Sequence, residues 1–244
     1  MTTRFRVWLD GQGLHDLDDT LIITDVKELP AQEDLHTVPG LTTGARLVRR
    51  VRRSLSVQIR FMVRQRDPVL RKAVMEAVRA WAGGRVLTLS DRPCQQLQVV
   101  CDHLPMAASA LKWTEECTLT LTAYALPYWQ SETPSTLTTS SSGEIPIPGN
   151  GPCTPVDVTL TPHNSLVTLA ADICRITLED VAVGTPVTLG HNDDGRLFIR
   201  QGERSLLASR TADSADDLLV VPGKRCIFSV SGGTATFSAR GVWL

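Results

Sequence analysis

The stretch from Leu55 to Leu89 constrains the fold more than any other part of the chain. From Leu55 to Val63 every odd position is apolar (Leu55, Val57, Ile59, Phe61, Val63), and the even positions are polar except for Met62. A period of two describes a strand with one buried and one open face. The period then changes. Asp67 is suited to accept a backbone N–H as an N-cap, and Pro68 to the first helical position, where no N–H is needed. Leu70, Ala73, Val74, Ala77, Val78 and Trp81 follow at helical spacing, with Arg71, Lys72, Glu76 and Arg79 on the other face. The spacing predicts a helix over 68–82 whose core face is Leu70, Val74, Val78 and Trp81. Gly83 and Gly84 are expected to stop it, because glycine takes a left-handed turn without steric cost. Arg85–Leu89 is a second strand. Burial of each core side chain is worth roughly 1.5–3 kcal/mol, so the helix is expected to lie against a sheet.

At 244 residues the chain suits one large domain or two small ones. Residues Arg4–Leu9 and Thr20–Val26 read as strands. Lys27–Thr43 reads as a long loop or extension, and the basic run Arg46–Arg53 as strand-like. After Leu89 come a strand over Gln95–His103, a loop over 104–110, and a long alternating strand over Trp113–Ala125. Ser131–Gly151 is rich in Ser, Thr, Pro and Gly, the mark of a linker or of polar edge strands. Beyond it, short strands alternate with turn residues and helical signals are almost absent, which indicates a β-sandwich. The expected division is 1–130, a segment 131–151, and 152–244.

Several classes of function find little support. No apolar run of roughly 7–15 residues follows Met1, so no secretory leader is expected. No stretch nears the roughly 20 apolar residues of a membrane span, so a soluble protein made in the cytosol is expected, without membrane insertion. The six cysteines (Cys94, Cys101, Cys117, Cys153, Cys174, Cys226) are scattered, with no close pair of the kind metal sites use. They read as free thiols, and neither a metal nor a cofactor is expected. The motifs of serine hydrolases, phosphate loops and zinc proteases are absent. The acidic start, including Asp16, Asp18 and Asp19, reads as a solvated or interfacial loop and not as a pair of catalytic carboxylates, so no enzymatic activity is expected.

Charge is the remaining signal. Arg46–Arg92 carries thirteen Lys or Arg against three acids, an excess of ten in a chain of net charge −1, so the remainder carries −11. Such asymmetry points to an anionic partner or to a charge-matched contact between subunits.

Four segments carry a family resemblance: Ala77–Asp91, with its Leu-Thr-Leu strand; Leu121–Trp129, ending Ala-Leu-Pro-Tyr-Trp; the Gly-Asn-Gly junction at Gly149–Val156; and Asp217–Gly223, with Leu-Val-Val-Pro-Gly. In this order the chain resembles the distal tail proteins of bacteriophages with long, non-contractile tails. The resemblance implies a mainly β fold: an N-terminal β-barrel-like domain with one flanking α-helix, then a galectin-like β-sandwich domain. It also implies a virion protein assembled in the host cytoplasm as a homo-oligomeric ring of six copies. Such a ring joins the tail tube protein to the tail-tip hub protein, and DNA and the tape-measure protein pass through its centre. In that setting Arg49, Arg50, Arg52, Arg53, Arg60 and Arg64 are expected at subunit contacts, with Asp16, Asp18 and Asp19 as candidate partners. Tight phosphate binding would retard DNA transit, which argues against direct DNA contact for most of these arginines.

The alternative is a carbohydrate-binding receptor module of a tail tip or baseplate. Galectins that bind sugar use His, Asn and Arg with a stacking Trp and a Glu-x-Arg. Here His191, Asn192, Arg196, Glu203 and Arg204 echo that set loosely, at the wrong spacing, and no Trp lies between Trp129 and Trp243. The His191–Gly195 segment reads better as a hairpin turn, since Asn, Asp and Gly tolerate positive φ.

Overall fold

The computed structural model describes residues 5–39, 45–103, 116–192 and 195–244, with backbone alone over 34–39 and 45–51. The loop expected over 104–110 and the first residues of the strand expected from Trp113 lie outside the described residues. The chain divides into two units, Met1–Tyr128 and Trp129–Leu244.

Unit 1 begins with β1 (Val7–Leu9), β2 (Gln12–Gly13), a 3-10 turn (Leu14–Asp16), β3 (Leu21–Glu28) and β4 (Gln32–Pro39). It continues with β5 (Ala45–Val63), α1 (Pro68–Trp81), β6 (Val86–Leu89), β7 (Gln95–Gln98), β8 (Val100–His103) and β9 (Glu116–Ala123). One sheet runs β2-β1-β6-β7 and the other β3-β5-β9-β8, with every pairing antiparallel. The segment expected as a single strand over Gln95–His103 is two strands. The chain leaves one sheet at Val99, whose N–H donates to Arg85 O at 2.8 Å, and enters the other.

The alternation in β5 does what its period demands. Leu55, Val57, Ile59, Phe61 and Val63 are all buried, as are Cys117, Leu119, Leu121 and Ala123 on the paired strand β9. Asp67 caps α1 by accepting from Val69 N (2.8 Å) and Leu70 N (3.4 Å). Val74, Val78 and Trp81 are buried, and the Trp81 indole donates to Gln12 O at 2.7 Å.

Two expectations about α1 are corrected. Leu70 is not in the core. It is 52% exposed and Val69 74%, while Met75 is 5% exposed. The first turn of the helix overhangs the surface that the later turns cover, so the apolar stripe is used only from Val74 onward. Gly83 and Gly84 do not adopt a left-handed turn, since neither has positive φ. Gly84 is needed for close approach: a Cβ there would lie 2.9 Å from Leu9 Cβ and 3.0 Å from Asp10 Oδ2.

The segment read as a long loop or an extension over Lys27–Thr43 is mostly strand over its described residues, 27–39. β3 reaches Glu28, and β4 pairs with β5 from Gln32↔Ser54 to Pro39↔Ala45. The basic run is therefore the first half of a 19-residue strand.

Unit 2 opens with β10 (Trp129–Ser131), β11 (Ser135–Thr139), β12 (Ser142–Ile147), β13 (Thr154–Pro162), β14 (Val167–Ala171) and β15 (Cys174–Leu178). Then come β16 (Val187–His191), β17 (Leu197–Gln201), β18 (Arg204–Ser205), β19 (Leu219–Val220), β20 (Lys224–Ser231), β21 (Gly233–Ala239) and β22 (Val242–Trp243). One sheet runs β11-β21-β13-β16-β17-β18, with β19 also on β13, and the second runs β12-β20-β14-β15. Inward side chains of both sheets form one core, which includes Phe228 and Phe237 with ring centroids 5.1 Å apart. This is a β-sandwich. The segment 131–151 is built into it as β11 and β12, and Pro146 stands in the edge strand β12, where a missing N–H disturbs no ladder. The unit's two ends meet: β10 pairs with β22, and the Arg240 guanidinium donates to the carbonyls of Ser131 and Glu132.

Candidate functional site

β5 organises the candidate surface. Its second half, Leu55–Val63, lies between β3 and β9, whereas its first half pairs with β4 alone among the described residues. Ala45–Ser54 and β4 thus form a two-stranded ribbon that runs past the four-stranded sheet. An isolated two-stranded hairpin is at best marginally stable, so such an arm gains from a docking partner. β5 contains six arginines and no acid.

The arginines and acids expected at an assembly surface separate along this strand. Arg49 and Arg50 stand opposite His36 and Leu35 in the ribbon; their side chains lie outside the described residues. Arg52 marks the base of the ribbon. Its Nη1 donates to Pro127 O at 3.3 Å, and its guanidinium lies 5.1 Å from the Tyr128 ring centroid. Arg52 therefore has a structural role within unit 1, which its place in a run of arginines does not disclose. Arg53 and Arg60 are exposed, Arg60 standing opposite Asp25 and Thr118.

At the far end, Arg64 N donates to Thr20 O at 2.8 Å, which brings Arg64 beside the acidic turn. There Asp16 lies 3.4 Å from His15 Nε2, and Asp18 accepts from both Thr20 N (2.8 Å) and Thr20 Oγ1 (2.5 Å). Asp18 is thus a turn-holding residue, while Asp16 and Asp19 are exposed. Twelve residues of strand at about 3.3 Å each place the acidic turn roughly 40 Å from Arg52. Of the arginines in this set, Arg64 is thus the one tied by its backbone to the acidic turn among the described residues.

Other polar groups were not visible in the sequence as partners. Arg92 and Glu28 form a half-buried ion pair at 2.8 Å. In unit 2, His191 sits between two carboxylates, with Nε2 2.7 Å from Asp217 and Nδ1 3.3 Å from Asp157. Burial opposes charge on this imidazole, but the hydrogen bonds and charges of Asp157 and Asp217 outweigh it and raise its pKa to about 9. His191 is thereby a protonated clamp, and it ends the hairpin in which Asn192 N donates to Arg196 O at 3.0 Å. Of the loose galectin-like set, Asn192 and Arg196 belong to the hairpin that His191 enters, while Glu203 lies in the β17–β18 turn and Arg204 begins β18. Among the described residues, no group of three or more His, Cys, Asp or Glu side chains is arranged to hold a metal ion. Among the described residues no helix is long and apolar enough to cross a membrane.

In fold, this mainly β chain of two units is similar to solved chains from phage tail-hub and baseplate structures. The structure is similar to the Dit protein (gp 19.1) of phage SPP1, described as a paradigm of the hub adsorption apparatus in phages infecting Gram-positive hosts. That match has a TM-score of 0.72 at 11% identity and covers 98% of this chain and 99% of that one. It is also similar to chains of the phage P2 baseplate in its activated conformation. With Ca the TM-score is 0.52 at 8% identity, over 99% of this chain and 98% of that one. With Sr it is 0.52 at 8% identity, over 97% of each chain. No protein-family model and no curated protein sequence matches the chain.

Proposed function

We propose that this chain is a structural, non-enzymatic subunit of a bacteriophage tail, and that copies of it form a ring at the distal end of the tail. In this reading the ring joins the tail tube to the tail-tip hub and leaves a central passage for DNA and the tape-measure protein. The observation that carries the reading is the likeness in fold to SPP1 Dit over essentially the full length of both chains. A shared activity would need a shared site, but a shared assembly role needs shared shape, and shape is what the two have in common.

The layout of unit 1 supports assembly. The four-stranded sheet ends in β3 on one side and β8 on the other, each paired on one edge only among the described residues. Unpaired strand edges invite pairing with another chain. The arginine-rich ribbon and the acidic turn lie at opposite ends of β5, so they meet only between different copies. Contacts between two different patches of identical chains are head-to-tail, and they close into a ring when the rotation between copies closes. The number of copies expected is six. Native mass spectrometry and negative-stain images of the purified protein test this. A closed ring of six supports the reading, and a monomer that stays monomeric at high concentration, with no ring in purified tails, overturns it.

A further inference from the structure

The smaller sheet of unit 2 ends in an apolar knob beside an apolar hole. Ala171 pairs with Cys174, so β14 and β15 are joined by a two-residue turn, Asp172-Ile173. Such turns favour Gly, Asn, Asp and Ser. Here the second turn residue is an isoleucine, and it is 98% exposed. Its turn is held from below. Asp172 adopts φ 50°, in the left-handed region. The Asp172 N–H donates to Ile227 O at 2.8 Å, its Oδ1 accepts from Ile227 N at 2.9 Å, and its Oδ2 lies 3.0 Å from Lys224 Nζ. Ile173 is β-branched, so its own side chain is stiff as well. An anchor fixed in advance loses little conformational entropy on docking.

The hole is an open, mostly apolar groove at the end of β12 and the start of β20, with Pro146, Pro148, Gly223, Lys224 and Arg225 in its lining. Gly223 has φ 86° and donates through its N–H to Ile147 O at 2.7 Å. A Cβ there would lie 2.8 Å from Gly149 O, so this wall carries no side chain. Knob and hole are neighbours. Pro146 stands opposite Arg225, and Glu144 opposite Ile227. Arg225 of the groove and Ile227, which holds the turn, are two strand residues apart, about 7 Å. Ile227 is itself 59% exposed and lies on the surface between the two features.

The charges of this patch balance. Arg225 Nη1 lies 2.8 Å from Glu144 Oε1, and Lys224 Nζ 3.0 Å from Asp172 Oδ2, so two bases meet two acids. An unbalanced patch repels its own copy and selects a partner of opposite sign, or an anionic membrane. A balanced one does not, and across a two-fold axis it can set the bases of one copy against the acids of the other. A two-fold contact requires a patch that is complementary to itself. Knob beside hole and base beside acid both meet that requirement.

We propose that this patch pairs with the same patch of a second copy of the chain, about a two-fold axis near Ile227, with each Ile173 entering the other copy's groove. A contact of so few residues belongs to the weak, transient class, so free copies pair only at high concentration. Copies already held in one assembly pair more readily, because their effective concentration is higher. The proposal is independent of ring formation in unit 1.

Sedimentation velocity on the full chain, from about 1 to about 500 μM, tests this. The wild type is expected to pair as concentration rises. Ile173→Asp spoils the knob and Pro146→Glu the hole, and each is expected to weaken pairing about tenfold or more. Leu166→Asp, at the opposite end of β14 and 53% exposed, is expected to leave it unchanged. All three positions are exposed, and thermal melting checks that the variants fold. An equal mixture of Ile173→Asp and Pro146→Glu is the sharper measurement. In the mixed pair one intact knob meets one intact hole, so the mixture is expected to pair more tightly than either variant alone and less tightly than the wild type. No pairing at the highest concentration, unchanged pairing in Ile173→Asp, or a mixture no better than its components overturns the proposal. Flotation with phosphatidylcholine vesicles that Ile173→Asp abolishes, without pairing, would make the knob a lipid contact and also overturn it. Native mass spectrometry counts rings separately: rings that do not pair overturn this proposal alone, and pairs that form no ring overturn the ring alone.

Discussion

The imidazole of His191 donates through Nε2 to the carboxylate of Asp217 at 2.7 Å, and this contact ties the segment entering β19 to the end of β16. Asp217 also accepts from Leu218 N at 2.7 Å, which fixes the carboxylate to the backbone it steers. With Asp157 on the other ring nitrogen, the imidazole is held as a cation with a pKa near 9, against 6.5 for a free histidine. A pKa raised on folding means that the folded state binds the proton more tightly. The resulting stability is complete below pH 6.5 and is lost as pH rises to about 9. The melting temperature of unit 2 is therefore expected to fall between pH 6.5 and 9. In His191→Gln that fall should be absent, with lower stability at pH 6. A flat wild-type profile across this window would show that the clamp contributes nothing.

The helix gives a paired prediction. Met75→Ala removes a buried side chain and is expected to cost about 2–5 kcal/mol. Leu70→Ala, on the overhanging first turn, is expected to change stability by no more than about 0.5 kcal/mol. Urea denaturation of both variants decides the matter. Equal losses would mean that Leu70 is packed after all.

Asp67 caps α1 by accepting from two of its backbone amides. Asp67→Ala is expected to cost about 1 kcal/mol, and Asp67→Ser or Asn to restore most of it. The same denaturation series measures this, and a neutral alanine would mean that solvent satisfies the first turn equally well.

What was legible in the sequence had a local cause. The alternation of Leu55–Val63 reflects one sheet face against the core, and the Asp67-Pro68 pair sets the start of α1 within a single turn. The ribbon was half legible: Arg46–Arg53 reads as strand-like, but its partner strand β4 lies in a stretch with prolines and no period of two, which leaves it without a strand signal. Leu70 misled because helical spacing tells which face a residue is on but not how far along the helix the covering surface extends. The His191 clamp was invisible for a different reason. Its partners are 34 and 26 residues away, and only the sandwich topology brings β13, β16 and the approach to β19 together.

The arginine run can be tested more sharply than by reversing all of it. Arg52 holds Pro127 O and lies against Tyr128, so Arg52→Glu is expected to damage unit 1 itself and to say nothing about assembly. Reversal at Arg49, Arg50 and Arg53, with Arg52 intact, leaves that tie in place. The triple variant Arg49→Glu, Arg50→Glu, Arg53→Glu is expected to stay folded, as thermal melting checks, yet to fail to form rings in native mass spectrometry. If the acidic turn is the complementary patch, then reversing Asp16 and Asp19 to Lys should block rings alone but restore them when combined with the triple variant, because the two changes then exchange signs across the contact. Asp18 is left out because it holds the Thr20 turn. Full rings in the arginine variant would remove these residues from the assembly contact. Failure of the combined variant, with each protein folded, would separate the arginines from the acids and direct the search to a different acidic surface.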